Sequence, residues 1–198
     1  MHLVLELLTV SFTALAGLHA WARRGAAGLW LFGSLLLLGA VRESFVAFRD
    51  LLYGFAPVYL ELGGTPLIAA VVWAYSIYVA LAWSDEIAGP RSSEAVPPAR
   101  TLGLVALFMV ALACFYEPFL AMTGLARWEE GTRASAGVPW IALIGYPTLA
   151  VAFLVVHGAI AAAVRHPLAR LLAVAVAIPA LGLGHAWGLQ ELKRLLGW

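Results

Sequence analysis

GGTPLIAAVVW, residues 63–73, and AGVPWIALIGY, residues 136–146, decide the fold. Each is a Gly-x-Pro step that opens an apolar run. In each the seventh residue after the proline is aromatic: Trp73 after Pro66, Tyr146 after Pro139. Reading upstream, Glu43 precedes Pro66 by 23 residues and Glu117 precedes Pro139 by 22. The chain therefore carries a duplicated unit, in which an acidic residue near the end of one apolar segment is followed by a proline that starts the next.

The chain has 198 residues, 63 % hydrophobic and 12 % charged. A soluble domain of this size is about half apolar and about a quarter charged. The composition is that of an all-α integral membrane protein. A span needs about 20 mostly apolar residues, and six segments qualify: 3–21, 26–47, 65–83, 101–124, 139–163 and 168–188. They form one polytopic domain over residues 1–198, interrupted by a single polar, proline-rich linker at 85–100. Residues 48–64, with Arg49, Asp50 and Glu61, and residues 125–138 read as longer connections. The N-terminus has no Lys or Arg before its apolar run and reads as the first span, not a cleaved signal. Cys114, the single cysteine, reads as a small buried hydrophobe in an apolar run.

The duplicated unit covers spans two to three and spans four to five. Two crossings separate spans two and four, so the repeat is parallel, and both glutamates emerge near the same face of the membrane. Arginine and lysine divide six against six between the two sides, which leaves the orientation open.

An ionisable group inside a bilayer is costly, and two in matched positions form a functional hypothesis. Each also has a plainer reading. Glu43 could pair with Arg42 or Arg49 at a span end, Glu117 could hydrogen-bond a neighbouring helix, and Glu6 could sit hydrated at the interface. His185, after Gly182 and Gly184, could bond across a close helix contact. His19 and His157 read as packing or interface residues. Trp21, Trp30, Trp83, Trp187 and Trp198 suit interfacial belts, whereas Trp73, Trp128, Trp140 and Tyr146 belong to the repeated pattern.

Several chemistries find no foothold. The histidines lie toward both faces without a His-x-x-x-His or Glu-x-x-His pair, so no metal site is expected. There is no glycine-rich phosphate loop, and no basic cluster that would recruit nucleic acid. What remains is carboxylates, one histidine and aromatics beside lipid. A desolvated carboxyl can stay protonated at neutral pH and act as a proton donor, and aromatic faces can stabilise a transient cation.

These motifs resemble the integral-membrane carotenoid biosynthesis proteins that include acyclic-carotenoid hydratases. The first block is similar through Glu43, Tyr53-Gly54, Tyr59, Gly64-Thr65-Pro66 and Trp73. The second is similar through Glu117-Pro118, Trp128-Glu129, Gly137-Val138-Pro139 and Gly145-Tyr146. The resemblance spans roughly residues 40–150. The chain departs from the family where Glu117 replaces its Asp, apolar Ala142-Leu143 its Asn, and Gly145-Tyr146 its Gly-Trp.

The resemblance implies acid-catalysed hydration of a terminal double bond of an acyclic carotenoid or related isoprenoid, by a hydratase of the lyase class. Glu117 and Glu43 would be catalytic. Trp73, Trp128, Trp140, Tyr146, Tyr53, His185 and Arg42 would line the substrate. It implies no cofactor, a lipophilic substrate entering from membrane lipid, and a prokaryotic cell membrane. A homo-oligomer or a partner in a membrane complex is compatible with it. Two alternatives stand beside this expectation: a small proton-coupled transporter, and a non-catalytic subunit of a larger complex, for which the small-residue stripe Ala173, Ala177, Ala180 and Gly184 would be the contact face.

Overall fold

The computed structural model describes residues 2–49, 51–56, 59–62, 65–89 and 96–198. Asp50, Gly63, Gly64 and the middle of the linker, including Arg91, lie outside the described residues. Among those described, five helices are long and apolar enough to cross a membrane. They are α1 (His2–Arg49), α2 (Leu67–Ala88), α3 (Ala99–Thr123), α4 (Trp140–Ala163) and α5 (Pro167–Leu196). The protein is an all-α integral membrane protein.

Six spans are expected and five helices are found, because α1 contains two. Gly25 has φ 55° and ψ −138°, a backbone conformation that suits glycine alone. There α1 folds back on itself. A methyl built on Gly17 would lie 3.1 Å from the Phe32 ring, and one built on Gly28 would lie 2.0 Å from the Ala20 carbonyl oxygen. Residues 17 and 32 would be about 22 Å apart along a straight helix, at 1.5 Å per residue. The limbs on either side of Gly25 are thus the expected spans 3–21 and 26–47, packed antiparallel. Arg23 and Arg24, at the corner, pair with Glu86 and Asp85 at the end of α2.

The helices share a core of Leu35, Leu38, Ile77, Leu81, Leu149 and Phe153, all essentially inaccessible. The outward faces of the first limb of α1, of α3 and of α5 are apolar and open. Phe115 (68 %), Met122 (86 %) and Val176 (70 %) are examples, and such surface belongs against acyl chains. Cys114 lies on this outer face of α3, exposed, not buried as expected. The reason is local: it follows buried Ala113 by one residue, so the helix turns it outward.

The two connections contain strands that the sequence reading does not anticipate. They are β1 (Tyr53–Phe55), β2 (Glu61–Leu62), β3 (Thr65–Pro66), β4 (Ala126–Trp128), β5 (Ala134–Ser135) and β6 (Val138–Pro139). Strand β1 pairs antiparallel with β4, joining the two connections into one cap, with Tyr53 opposite Trp128. The β2–β3 and β5–β6 ribbons each end on the motif proline. Pro66 (φ −55°, ψ 124°) and Pro139 (φ −63°, ψ 134°) take the same conformation. After them the first helical amides, Leu67 N–H and Trp140 N–H, donate to Leu60 and Arg133 carbonyls at 2.8 and 3.0 Å. Both partners lie seven residues upstream, so the duplication extends to hydrogen bonds that no sequence motif marks.

Two clamps fix this cap to the helices. Glu6 is fully buried, not hydrated at an interface. Its carboxylate accepts the backbone N–H groups of Tyr59 (3.1 Å) and Leu60 (2.8 Å). Glu6→Ala would strand both amides, and a buried unsatisfied group costs about 1–3 kcal/mol. A drop in the midpoint of thermal unfolding in detergent, larger than for Glu6→Gln, is the expected reading.

At the other edge Lys193 Nζ donates to Glu129 Oε2 at 2.6 Å, and Gln190 bridges Glu129 to the Leu52 amide. The Lys193 hydrogen bond holds the Glu129 carboxyl below the usual carboxylate range. A lowered folded-state pKa gives stability that is present above the unfolded value and is lost as pH falls through the lowered one. Glu129 is half exposed, so the effect is below about 1 kcal/mol. The stability gap between the wild type and Glu129→Gln should narrow as the pH is lowered into that range.

Candidate functional site

Beneath the cap the duplicated unit closes on itself. Glu43, one turn before the end of buried surface on α1, is 1 % exposed. Its Oε1 accepts the indole N–H of Trp73 at 2.5 Å. The Tyr53 hydroxyl lies 3.0 and 2.9 Å from its two oxygens. Glu117, on α3, is 4 % exposed. Its Oε2 accepts the indole N–H of Trp128 at 2.6 Å, and its Oε1 accepts the Tyr146 hydroxyl at 2.8 Å. Each carboxylate is thus held by one tryptophan and one tyrosine, but with the roles exchanged. The partner on the post-proline helix is Trp73 in one half and Tyr146 in the other. The partner on the cap is Tyr53 in one half and Trp128 in the other.

The exchange brings the halves into contact. The Trp73 and Tyr146 rings lie 4.9 Å apart between centroids, and so do Tyr53 and Trp128. Large aromatic pairs at this distance add about 0.5–1.5 kcal/mol beyond their buried area. Four aromatic rings therefore form the floor and roof between two carboxyl groups. Burial pushes the Tyr53 hydroxyl above its ordinary range, with the Arg42 guanidinium opposing and Glu43 assisting that shift. Tyr53 stays a hydrogen-bond donor.

Arg42 breaks the symmetry. Its guanidinium donates to Glu43 and, at 2.7 Å, to the Tyr53 hydroxyl. The guanidinium carbon lies 4.7 Å from the Trp73 ring centre and 6.0 Å from that of Tyr53. The repeat aligns Arg42 with Tyr116, whose ring packs instead against Tyr75 (6.3 Å) and Phe115 (5.8 Å). Glu43 therefore has a buried counter-ion, whereas the two donors that Glu117 receives are neutral.

The cluster walls a cavity of about 130 Å³ that is otherwise apolar. Leu5 and Thr9 of the first α1 limb border it on one side, Tyr116 and Phe119 of α3 on the other. All four are partly or largely open to the outside. Above them the His2 ring nitrogen bridges to the Thr123 carbonyl at 3.1 Å. The cavity thus opens sideways, toward lipid, below that bridge.

Seven of the nine expected site residues meet here: Glu43, Glu117, Trp73, Trp128, Tyr53, Tyr146 and Arg42. Trp140 does not reach the cavity. It is the first residue after Pro139, and its indole turns outward to Ser135 (2.9 Å) and the Trp198 ring. His185 stands behind the wall at Gly145, with Nε2 3.1 Å from the Thr148 hydroxyl of α4. It makes the cross-helix bond that its glycine-rich setting allows. Tyr75 and Ile68 line the cavity without any sequence signal that separates them from ordinary core residues. At Ala142, where the resembled family carries a polar group nearby, the wall is apolar. Among the described residues no group of His, Cys, Asp and Glu has the arrangement to hold a metal ion.

Comparison with family models, with curated proteins and with solved structures finds no match to this chain.

Proposed function

We propose that this is a membrane enzyme that hydrates a terminal double bond of a lipophilic isoprenoid, with an acyclic carotenoid as the substrate class. The observation that carries the reading is a pair of carboxyl groups on the wall of one apolar, lipid-facing cavity, one beside a buried guanidinium and the other held by neutral donors. Glu43 has the Arg42 counter-ion and serves as the carboxylate. Glu117, held by neutral donors, carries the proton. The motif resemblance in residues 40–150 supplies the substrate class.

The chemistry balances with water as the only co-reactant. The Glu117 proton adds to the less substituted carbon of the alkene, and the π electrons form that C–H bond. A tertiary carbocation is left at the other carbon. A water lone pair forms the C–O bond. The proton it releases passes to Glu43, and water in the cavity returns it to Glu117. Glu43 Oε2 suits this role, because Oε1 takes the Arg42 and Trp73 donors while Oε2 meets only the shared Tyr53 hydroxyl. Thr9 contributes a further hydroxyl-bearing side chain to the wall. Positioned proton transfer of this kind is worth about 10²–10⁴ in rate.

A transporter gains less support. Next to the cavity lies the packed apolar layer of Leu35, Leu38, Ile77, Leu149 and Phe153, all essentially inaccessible.

The test is pigment analysis by mass spectrometry in cells that accumulate an acyclic carotenoid and express the chain. A product heavier by one water, absent with Glu117→Gln, supports the reading. Unchanged pigment in cells that contain the folded protein would contradict it.

A further inference from the structure

We propose that the Glu117 half of the site is a receptor for one positively charged centre at the end of a lipophilic chain, in the place that Arg42 fills in the Glu43 half. The internal repeat is the warrant. In the first half a cation is already bound: the Arg42 guanidinium, held by the Glu43 carboxylate and lying over Trp73 and near Tyr53. In the second half the carboxyl and both rings recur as Glu117, Trp128 and Tyr146. The equivalent of the cation does not recur, because Tyr116 carries no charge and packs against Tyr75.

One cavity serves both halves and is bordered by Arg42 and Glu43 as well; the Arg42 charge there is already paired with Glu43, whereas Glu117 is bonded only by neutral donors. The cavity of about 130 Å³ is bordered by Glu117, Trp128, Tyr146 and Tyr116. That is well above the roughly 10–15 Å³ one water requires. A cation brought there would meet the Glu117 carboxyl and the Trp128 and Tyr146 rings, and aromatic rings attract ammonium-like charge more strongly when desolvated. The sideways opening at Leu5, Thr9 and Phe119 leaves the rest of the ligand among acyl chains, which sets the lipophilic tail.

The inference rests on the proposed function only in identifying the centre, during turnover, as the substrate carbocation. A stable cation needs no reaction to bind; it takes the place of the Glu117 proton, so the carboxylate that holds it is the one left after proton transfer.

The experiment measures binding of radiolabelled geranyltrimethylammonium, and of its neutral isostere with carbon in place of nitrogen, to the full chain in nanodiscs of zwitterionic lipid. The expected result is one saturable site per chain for the cation and at least tenfold weaker binding of the isostere. Tyr116→Arg supplies the missing resident cation and should reduce cation binding at least tenfold. Equal binding of the two probes would overturn the proposal, and that comparison needs no variant to fold. Full retention of binding in a folded Tyr116→Arg would overturn it as well. Selective cation binding without hydration would remove the hydratase reading and leave the receptor. Hydration without charge-selective binding would do the reverse.

Discussion

Glu117→Gln is expected to lose turnover by about 10²–10⁴ while its unfolding midpoint in detergent stays close to that of the wild type. The asymmetry of the two halves is the reason. A glutamine at 117 can still accept the Trp128 indole N–H through its carbonyl and donate its amide to the Tyr146 oxygen, so the two neutral partners of Glu117 keep their bonds. Only the transferable proton is lost. Glu43→Gln is expected to behave differently. It removes the carboxylate from Arg42, whose side chain is 3 % exposed. An uncompensated buried charge costs about 3–5 kcal/mol, so this variant should lose stability and activity together. Steady-state turnover and thermal unfolding, measured on both variants, separate the two behaviours. Equal destabilisation by both substitutions would contradict the assignment of roles.

Gly39→Val is expected to give the largest structural effect. A Cβ at Gly39 would lie 2.0 Å from the Ala70 carbonyl oxygen and 3.3 Å from the Trp73 Cβ. The obstacle is backbone, which cannot rotate aside, so the second limb of α1 and α2 must move apart. Overpacking a tight contact costs about 1–3 kcal/mol and sometimes more. The contact lies one helical turn before both Glu43 and Trp73, so separation there also lengthens the 2.5 Å Trp73–Glu43 hydrogen bond. Stability and turnover should fall together. Gly103→Ala, where a Cβ would meet nothing within 4 Å, is the control and should be neutral or slightly stabilising. A neutral Gly39→Val would mean that these helices are not held in close contact.

What the sequence made legible follows from which signals are local. Span positions depend on runs of apolar residues, and the limits of α2, α3 and α4 fall within a few residues of the expected 65–83, 101–124 and 139–163. The hairpin in α1 was legible as two spans because Arg23-Arg24-Gly25 interrupts the run. The duplicated Glu-to-Pro spacing exposed both carboxylates, since a charged residue in lipid stands out against its surroundings. The strands of the cap were not legible. They are two or three residues long and draw their partners from the other half of the chain, as with Tyr53 opposite Trp128.

The place of Glu6 stayed open in the sequence for a related reason. Its partners are backbone amides of the connection, which no side-chain pattern announces. Trp140 and Trp128 look alike in sequence as members of the repeat, yet only Trp128 faces the cavity. That choice depends on whether a residue sits on the paired strand or on the first turn of a helix.

In the proposed reaction water adds across a protonated double bond in the Glu43–Glu117 cavity. Turnover of an acyclic carotenoid by the purified protein in water enriched in heavy oxygen tests it most directly, with mass spectrometry of the product. The expected product is an alcohol whose oxygen carries the label, formed equally well without molecular oxygen and absent with Glu117→Gln. An unlabelled hydroxyl, or product that forms only when molecular oxygen is present, would contradict it.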